Sequence, residues 1–216
     1  MPKILNIDLE KFPKTIPIFP LSNCLLLPNG NLTLNIFEPR YINMIEDSIS
    51  NNRLIGMIQP KKTNTTNVEL YNVGCLGKIT YFSELKDKKY LIELTGQSRY
   101  KIINNEITDK GYLTANVDYT RYHLDSSTNY KEISSALMKE FLPSLKSYFN
   151  SENIKADWKI IEKAPSALLI KSLAQSCPFN NEEKQMLLES KDINNITETM
   201  ITLFKIAAAG ETKNIH

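Results

Sequence analysis

The sequence predicts an α+β protein in two parts: an antiparallel β-barrel carrying one helix over residues 1–122, then an α-helical bundle over 123–216. Apolar residues recur at every second position through the first half and at every third or fourth from Tyr130 onward, and these are the two periods that separate strands from helices. The change falls in the polar stretch Arg121–Asn129, which reads as a linker. At 216 residues, 42% hydrophobic and 23% charged, the chain is long enough to bury a core without a metal or disulfide staple, since a domain of ~150 residues already buries about 70% of its unfolded surface.

Strand signals begin with Ile16, Ile18 and Phe19, continue through Cys24–Leu27, and follow as Leu32, Leu34 and Ile36 alternating with polar Thr33 and Asn35. Asn29-Gly30 lies between the last two runs and predicts an antiparallel hairpin, because both residues tolerate positive φ. Tyr41, Met44, Ile45, Ser48 and Ile49 fall at helical spacing, with Pro39 suited to the first turn and Asn51-Asn52 as the stop. Further strands read at Leu54–Gln59, Cys75–Leu85, Tyr90–Gly96, Tyr100–Glu106 and Leu113–Tyr119, with a polar loop over Pro60–Asn67 and a lysine-rich hairpin tip at Lys86–Lys89. This many short strands predict a sheet that closes on itself, because a flat one would leave two exposed edges.

In the second half, Ile133, Leu137, Phe141, Leu145 and Tyr148 or Phe149 form one apolar helical stripe. A second helix is read at Ile154–Glu162 and a third at Pro165–Gln175, with Leu168, Leu169 and Leu173 buried. Asn180 with Glu183 predicts a capping box for a fourth helix, Glu182–Glu189. Asp192 is expected to cap the last, whose inward face is Ile196, Met200, Leu203, Phe204 and Ala207 and whose end is Gly210.

Composition narrows the function classes. Cys24, Cys75 and Cys177 are odd in number and widely spaced, so they read as buried thiols in a reducing compartment rather than disulfides or metal ligands. His123 and His216 have no neighbouring ligand set, and no metal or cofactor is expected. Asp8, Glu10 and Lys11 occupy the place where a signal peptide needs its apolar stretch. No run approaches the ~18 apolar residues of a spanning helix. The expectation is a cytoplasmic protein with no membrane contact. A net charge of +2 with both signs interspersed argues against nucleic acid.

Three segments carry a family resemblance. Ile16-Pro17-Ile18-Phe19-Pro20-Leu21, then Leu26-Leu27-Pro28-Asn29-Gly30, then Leu34-Asn35-Ile36-Phe37-Glu38-Pro39-Arg40-Tyr41 resemble the opening of the Lon N-terminal domain family, whose pattern is P-L-F-P-L, L-F-P-G, L-x-I-F-E-P-R-Y. Ile18 replaces Leu, and Asn29 stands before Gly30. Gly56, Gly74 and Gly77 fall where the family has later glycines, and Gly96-Gln97-Ser98-Arg99-Tyr100 resembles its G-x-x-R-F segment. Cys177-Pro178-Phe179 with Glu183-Lys184-Gln185-Met186-Leu187-Leu188-Glu189 is similar to P-F-x-x-x-E-K-Q-x-L-L-E of stand-alone bacterial members. The resemblance implies a PUA-like barrel followed by a helical bundle, and a non-catalytic role in recognising unfolded or extended polypeptide.

The corner Phe37, Glu38, Arg40 and Tyr41 is the candidate peptide-binding site, and it carries two readings. In the structural one, Phe37 and Tyr41 pack on one side of the strand-to-helix corner, Glu38 is favoured by the helix dipole, and Arg40 holds Glu38 or another carboxylate. In the functional one, Arg40 and Tyr41 face a groove and grip peptide carbonyls and carboxylates. The expected binding surface is apolar, in the cleft between barrel and bundle, with strand addition at an exposed barrel edge.

Enzyme motifs fail on spacing. Gly74-Cys75-Leu76-Gly77-Lys78-Ile79 has too few residues between its glycines for a phosphate loop and no Ser or Thr after the lysine, so it reads as a bulge or close strand packing. Pro165-Ser166-Ala167 echoes the serine segment of Lon-type proteases without its flanking glycines, and reads as a helix start. The alternative to peptide capture is an adaptor docking on a folded partner, such as the Lon protease or a chaperone. RNA binding and catalysis rank below both.

Overall fold

The structure, a computed structural model, describes residues 12–61, 69–125 and 133–211. The chain divides into two compact units, Met1–Thr128 and Asn129–His216.

In the first unit the described residues form β1 (Thr15–Pro20), β2 (Asn31–Ile36), α1 (Pro39–Ser50), β3 (Leu54–Ile58), β4 (Val73–Glu84), β5 (Tyr90–Ile107) and β6 (Leu113–Asp118). The sheet order is β2-β5-β4-β3-β1-β6, and β6 pairs back onto β5. Closure is possible because β5 is long enough to serve two neighbours: Tyr90–Lys101 pairs with β4, while Lys101–Ile107 pairs with β6. The two strands read at Tyr90–Gly96 and Tyr100–Glu106 are therefore one, since Ser98 and Arg99 continue the ladder on β4 past a bulge at Gln97. All pairings are antiparallel except β1 with β3, a parallel pair whose connection runs through β2 and α1.

Cys24–Leu27 is not a strand. Leu25, Leu26 and Leu27 are buried as irregular chain, and the Asn29-Gly30 turn closes on Leu27, whose carbonyl accepts from the Gly30 amide at 2.8 Å. Pro28 in the second position and Asn29 at φ 59° in the third fit a type II turn rather than a hairpin turn. The Asn29 amide then donates to the Gly96 carbonyl at 2.8 Å, so the turn is fixed to β5.

The glycines of the family pattern make room for large side chains. A Cβ on Gly74 or Gly56 would lie within 2.5 Å of the Tyr100 hydroxyl, which donates to the Met57 carbonyl at 3.0 Å in the middle of the core. A Cβ on Gly96 would strike the Leu27 carbonyl oxygen at 2.1 Å, and one on Gly77 would meet Leu26. Close packing on β4, with a register shift between Leu76 and Gly77, is thus the role of the Gly74–Gly77 segment.

Arg121–Asp125, read as the start of a linker, is packed on the barrel. Tyr122 is buried, and the Arg99 guanidinium donates to both Asp125 oxygens at 2.7 Å. The rest of that stretch, and most of the loop read at Pro60–Asn67, lie outside the described residues.

The second unit contains α2 (Ser135–Ser151), α3 (Trp158–Lys163), α4 (Ser166–Ser176), α5 (Asn181–Glu189) and α6 (Ile193–Glu211). Its core is aromatic: Tyr148 stacks on Phe204 at 4.7 Å and on Phe179 at 6.0 Å, with Phe141 5.7 Å from Phe204. The α5 capping box forms, and Asp192 accepts from the Asn194 and Asn195 amides. Three expectations shift. α3 starts only at Trp158, where Asp157 caps it. Leu168 is exposed and Ile170 is buried, because the inward face of α4 runs Leu169, Ile170, Leu173, Ala174. Gly210 lies within α6, which the described residues follow to Glu211.

Candidate functional site

The corner from β2 into α1 is built by local chemistry. Glu38 is the last extended residue (φ −74°, ψ 132°), and its carbonyl accepts the first helical amides, from Tyr41 and Ile42, at 2.9 and 3.0 Å. Pro39 occupies the first helical position, where a missing N–H leaves nothing unsatisfied. The Glu38 carboxylate makes no cap bond; it binds Arg40 instead, with Nε at 3.0 Å and an Nη at 2.8 Å. The Arg40 guanidinium lies 4.6 Å from the centre of the Tyr41 ring.

Tyr41 is buried and packs on Phe19 of β1, with ring centres 4.2 Å apart and planes tilted by 43°. Burial pushes its phenol above the ordinary value; the Arg40 cation opposes this and Glu38 adds to it. Phe37, by contrast, remains 65% exposed. Its neighbour across the sheet end is the β4–β5 hairpin tip, where Leu85 is 41% exposed.

Phe37 stands between two depressions of the barrel unit. One, of about 300 Å³, lies between Phe19–Ser22 and Leu34–Glu38 and is edged by Arg40 and Tyr41. The other, of about 420 Å³, is lined by Asn35, Ile36, Phe37, Leu85 and Lys89. All four residues of the sequence-predicted site therefore edge one groove: Tyr41 as part of its floor, Phe37 as an exposed ridge, and Glu38 and Arg40 as a charged, half-exposed rim. Sequence reasoning missed Phe19 on the opposite wall and the Leu85–Lys89 side of the second depression. An apolar residue on an otherwise charged hairpin tip is the signal that points to Leu85.

Other residues of the family pattern have structural partners. Glu183 completes the α5 capping box, and the buried Lys184 ammonium donates to the Gln175 carbonyl at the end of α4, at 3.2 Å. Ser166 opens α4 directly after Pro165. Burial pushes the Cys177 thiol up to about 12, with Lys184 opposing. Among the described residues no group of three or more His, Cys, Asp or Glu side chains is placed to hold a metal ion, and no helix is long and apolar enough to cross a membrane.

Comparison with known proteins agrees with this architecture. Two solved structures share the fold: the Lon N-terminal domain protein from Xanthomonas campestris (TM-score 0.62, 18% identity, 88% of this chain and 98% of that one) and the N-terminal domain of Mycobacterium avium complex Lon protease (TM-score 0.61, 13% identity, 89% and 98%). Among curated proteins, Lon protease 2 of Myxococcus xanthus is 23% identical over 199 residues, 87% of this chain and 23% of its own length. Lon protease of Parabacteroides distasonis is 31% identical over 104 residues, 47% of this chain and 12% of its own. The chain thus spans about a quarter or less of the length of these relatives. The family model of the ATP-dependent protease La (LON) substrate-binding domain matches residues 15–203, and the chain belongs to that family.

Proposed function

We propose that this chain is a non-catalytic recognition module that binds unfolded or extended polypeptide at the Phe37 corner of its barrel unit. The observation that carries the reading is Phe37 itself, a large aromatic side chain left 65% exposed between two depressions, in a segment whose neighbours are otherwise packed or paired. Solitary exposed apolar residues need no explanation, but an aromatic ridge between an apolar hollow and one of mixed lining is the form of a binding anchor. Arg40 and Glu38 on the rim supply one cation and one carboxylate for peptide carbonyls, amides and charged ends.

Affinity is modest in this reading, because an unstructured ligand loses ordering entropy on binding; dissociation constants on the order of micromolar or weaker follow. The family match supports the absence of chemistry of its own, since it covers a substrate-binding region. The test is titration of the purified chain against a reduced, carboxymethylated, permanently unfolded reporter protein and against its folded form. Saturable binding to the unfolded form alone supports the proposal; equal binding to both, or to neither, removes it. One stoichiometric folded partner recovered from the native host would favour the adaptor alternative.

A further inference from the structure

The geometry points to a binding mode for the proposed site: an extended polypeptide adds as a strand to the free edge of β2, so that recognition rests on main-chain hydrogen bonds. This rests on the peptide-binding reading above. β2 stands at the end of the sheet order and, among the described residues, pairs with β5 alone, over six consecutive residues with no register shift. Among the described residues, no backbone bond from Leu32–Ile36 to any element other than β5 is found. The opposite edge of the sheet is closed by the β6–β5 pairing, which leaves β2 as the place where the ladder stops.

Natural edges are usually blunted by lysine, proline or a bulge. Asn31-Leu32-Thr33-Leu34-Asn35-Ile36 contains none of these and no charge. The smaller depression runs beside Leu34–Phe37, with Phe19–Ser22 as its far wall. A strand laid along β2 would drop every second side chain toward that wall and leave the others in solvent, because strand side chains alternate. Backbone pairing accepts many sequences, while the Phe19–Leu21 wall and Phe37 favour an apolar residue where a side chain meets them.

A second copy of this chain is a poorer occupant of this edge. Of the apolar side chains of β2, Leu34 and Ile36 are buried in their own barrel and Leu32 is half-buried, while Asn31, Thr33 and Asn35 are exposed, so a β2-to-β2 pair would offer mainly polar groups to a hollow walled by Phe19 and Phe37.

The experiment uses the full ¹⁵N-labelled chain and a fluorescent decapeptide of alternating valine and threonine with terminal lysines. Two further versions are N-methylated on alternate amides, one on each set. In an added strand only one set faces the protein, so one version is expected to bind at least tenfold more weakly and the other within twofold of the parent. Amide exchange is expected to slow at alternate residues of Leu32–Ile36 when the parent peptide is added. Equal affinities of the two methylated versions overturn strand addition while leaving recognition at the Phe37 corner intact. Slowed exchange in β2 without peptide, rising with protein concentration, overturns it in favour of self-pairing. Failure of the parent peptide to bind overturns it as well, and the unfolded-reporter titration decides separately whether the functional reading falls with it.

Discussion

Two arginines of the barrel unit have the same partners in kind. Arg99 pairs with Asp125 at 2.7 Å and lies 4.6 Å from the centre of the Tyr122 ring; Arg40 pairs with Glu38 at 2.8 Å and lies 4.6 Å from that of Tyr41. Their surroundings differ: the Arg99 and Asp125 side chains are 10% and 9% exposed, the Arg40 and Glu38 side chains 52% and 45%. Desolvation makes the first trio part of the fold, because neither charge could be left there alone. Solvent screens the second, so its members can exchange partners at little expense. An arginine in a family pattern can thus be buried as part of the fold or left at the surface, and the proposed reading assigns only the exposed one to the ligand.

The largest effect should come from breaking the buried trio. Arg99→Ala leaves the Asp125 carboxylate buried without its cation and should lower unfolding free energy by about 3–5 kcal/mol in urea titration. Arg99→Lys should recover only part of this, since an ammonium cannot supply the fork that meets both Asp125 oxygens. A loss below about 1 kcal/mol for Arg99→Ala would place this pair in the same class as the exposed one.

Next in size is Phe37→Ala, which should weaken binding of the unfolded reporter about tenfold or more, as loss of an aromatic anchor does. Its stability should stay within about 0.5 kcal/mol of the parent, because the ring is mostly in solvent. Arg40→Ala should change stability by no more than about 1 kcal/mol, and should weaken reporter binding less than Phe37→Ala does. If Arg40→Ala destabilises as much as Arg99→Ala, the corner is structural and the comparison fails.

A smaller effect concerns alkaline pH. The Tyr90 hydroxyl donates to Glu46 at 2.6 Å, and that bond, with burial, pushes its pKa up to about 12. The folded chain therefore keeps this proton where the unfolded chain, titrating near its ordinary value of 10.0, has released it. The contribution is complete below about pH 10 and is lost as pH rises toward 12. Tyr90→Phe should flatten that part of the stability profile, read from unfolding titrations between pH 9 and 12.

Much of the fold was legible because periodicity and capping are local. The α1 face, the β2 alternation and the Asn180–Glu183 box all appear where pattern places them. Cys24–Leu27 misled because a short apolar run reads alike as a strand or as buried irregular chain. What decides between them is distant, namely whether Gly77 and Gly96 on β4 and β5 leave space for Leu26 and Leu27. The single β5 was read as two strands because Gly96 looked like punctuation, although it serves close backbone approach. At the site, the Glu38–Arg40 pair lies within three residues and was readable. The contact of Tyr41 with Phe19 and the partnership of Arg99 with Asp125 depend on tertiary placement that no local pattern encodes.

Recognition at the Phe37 corner is tested most directly by a chemical-shift map of the ¹⁵N-labelled chain titrated with the unfolded reporter. Binding at the Phe37 corner should give the largest perturbations at Phe19–Ser22, Leu34–Tyr41 and the Leu85–Lys89 tip, with Arg99 and Asp125 unmoved. Perturbations confined elsewhere, or none at saturating reporter, would contradict it.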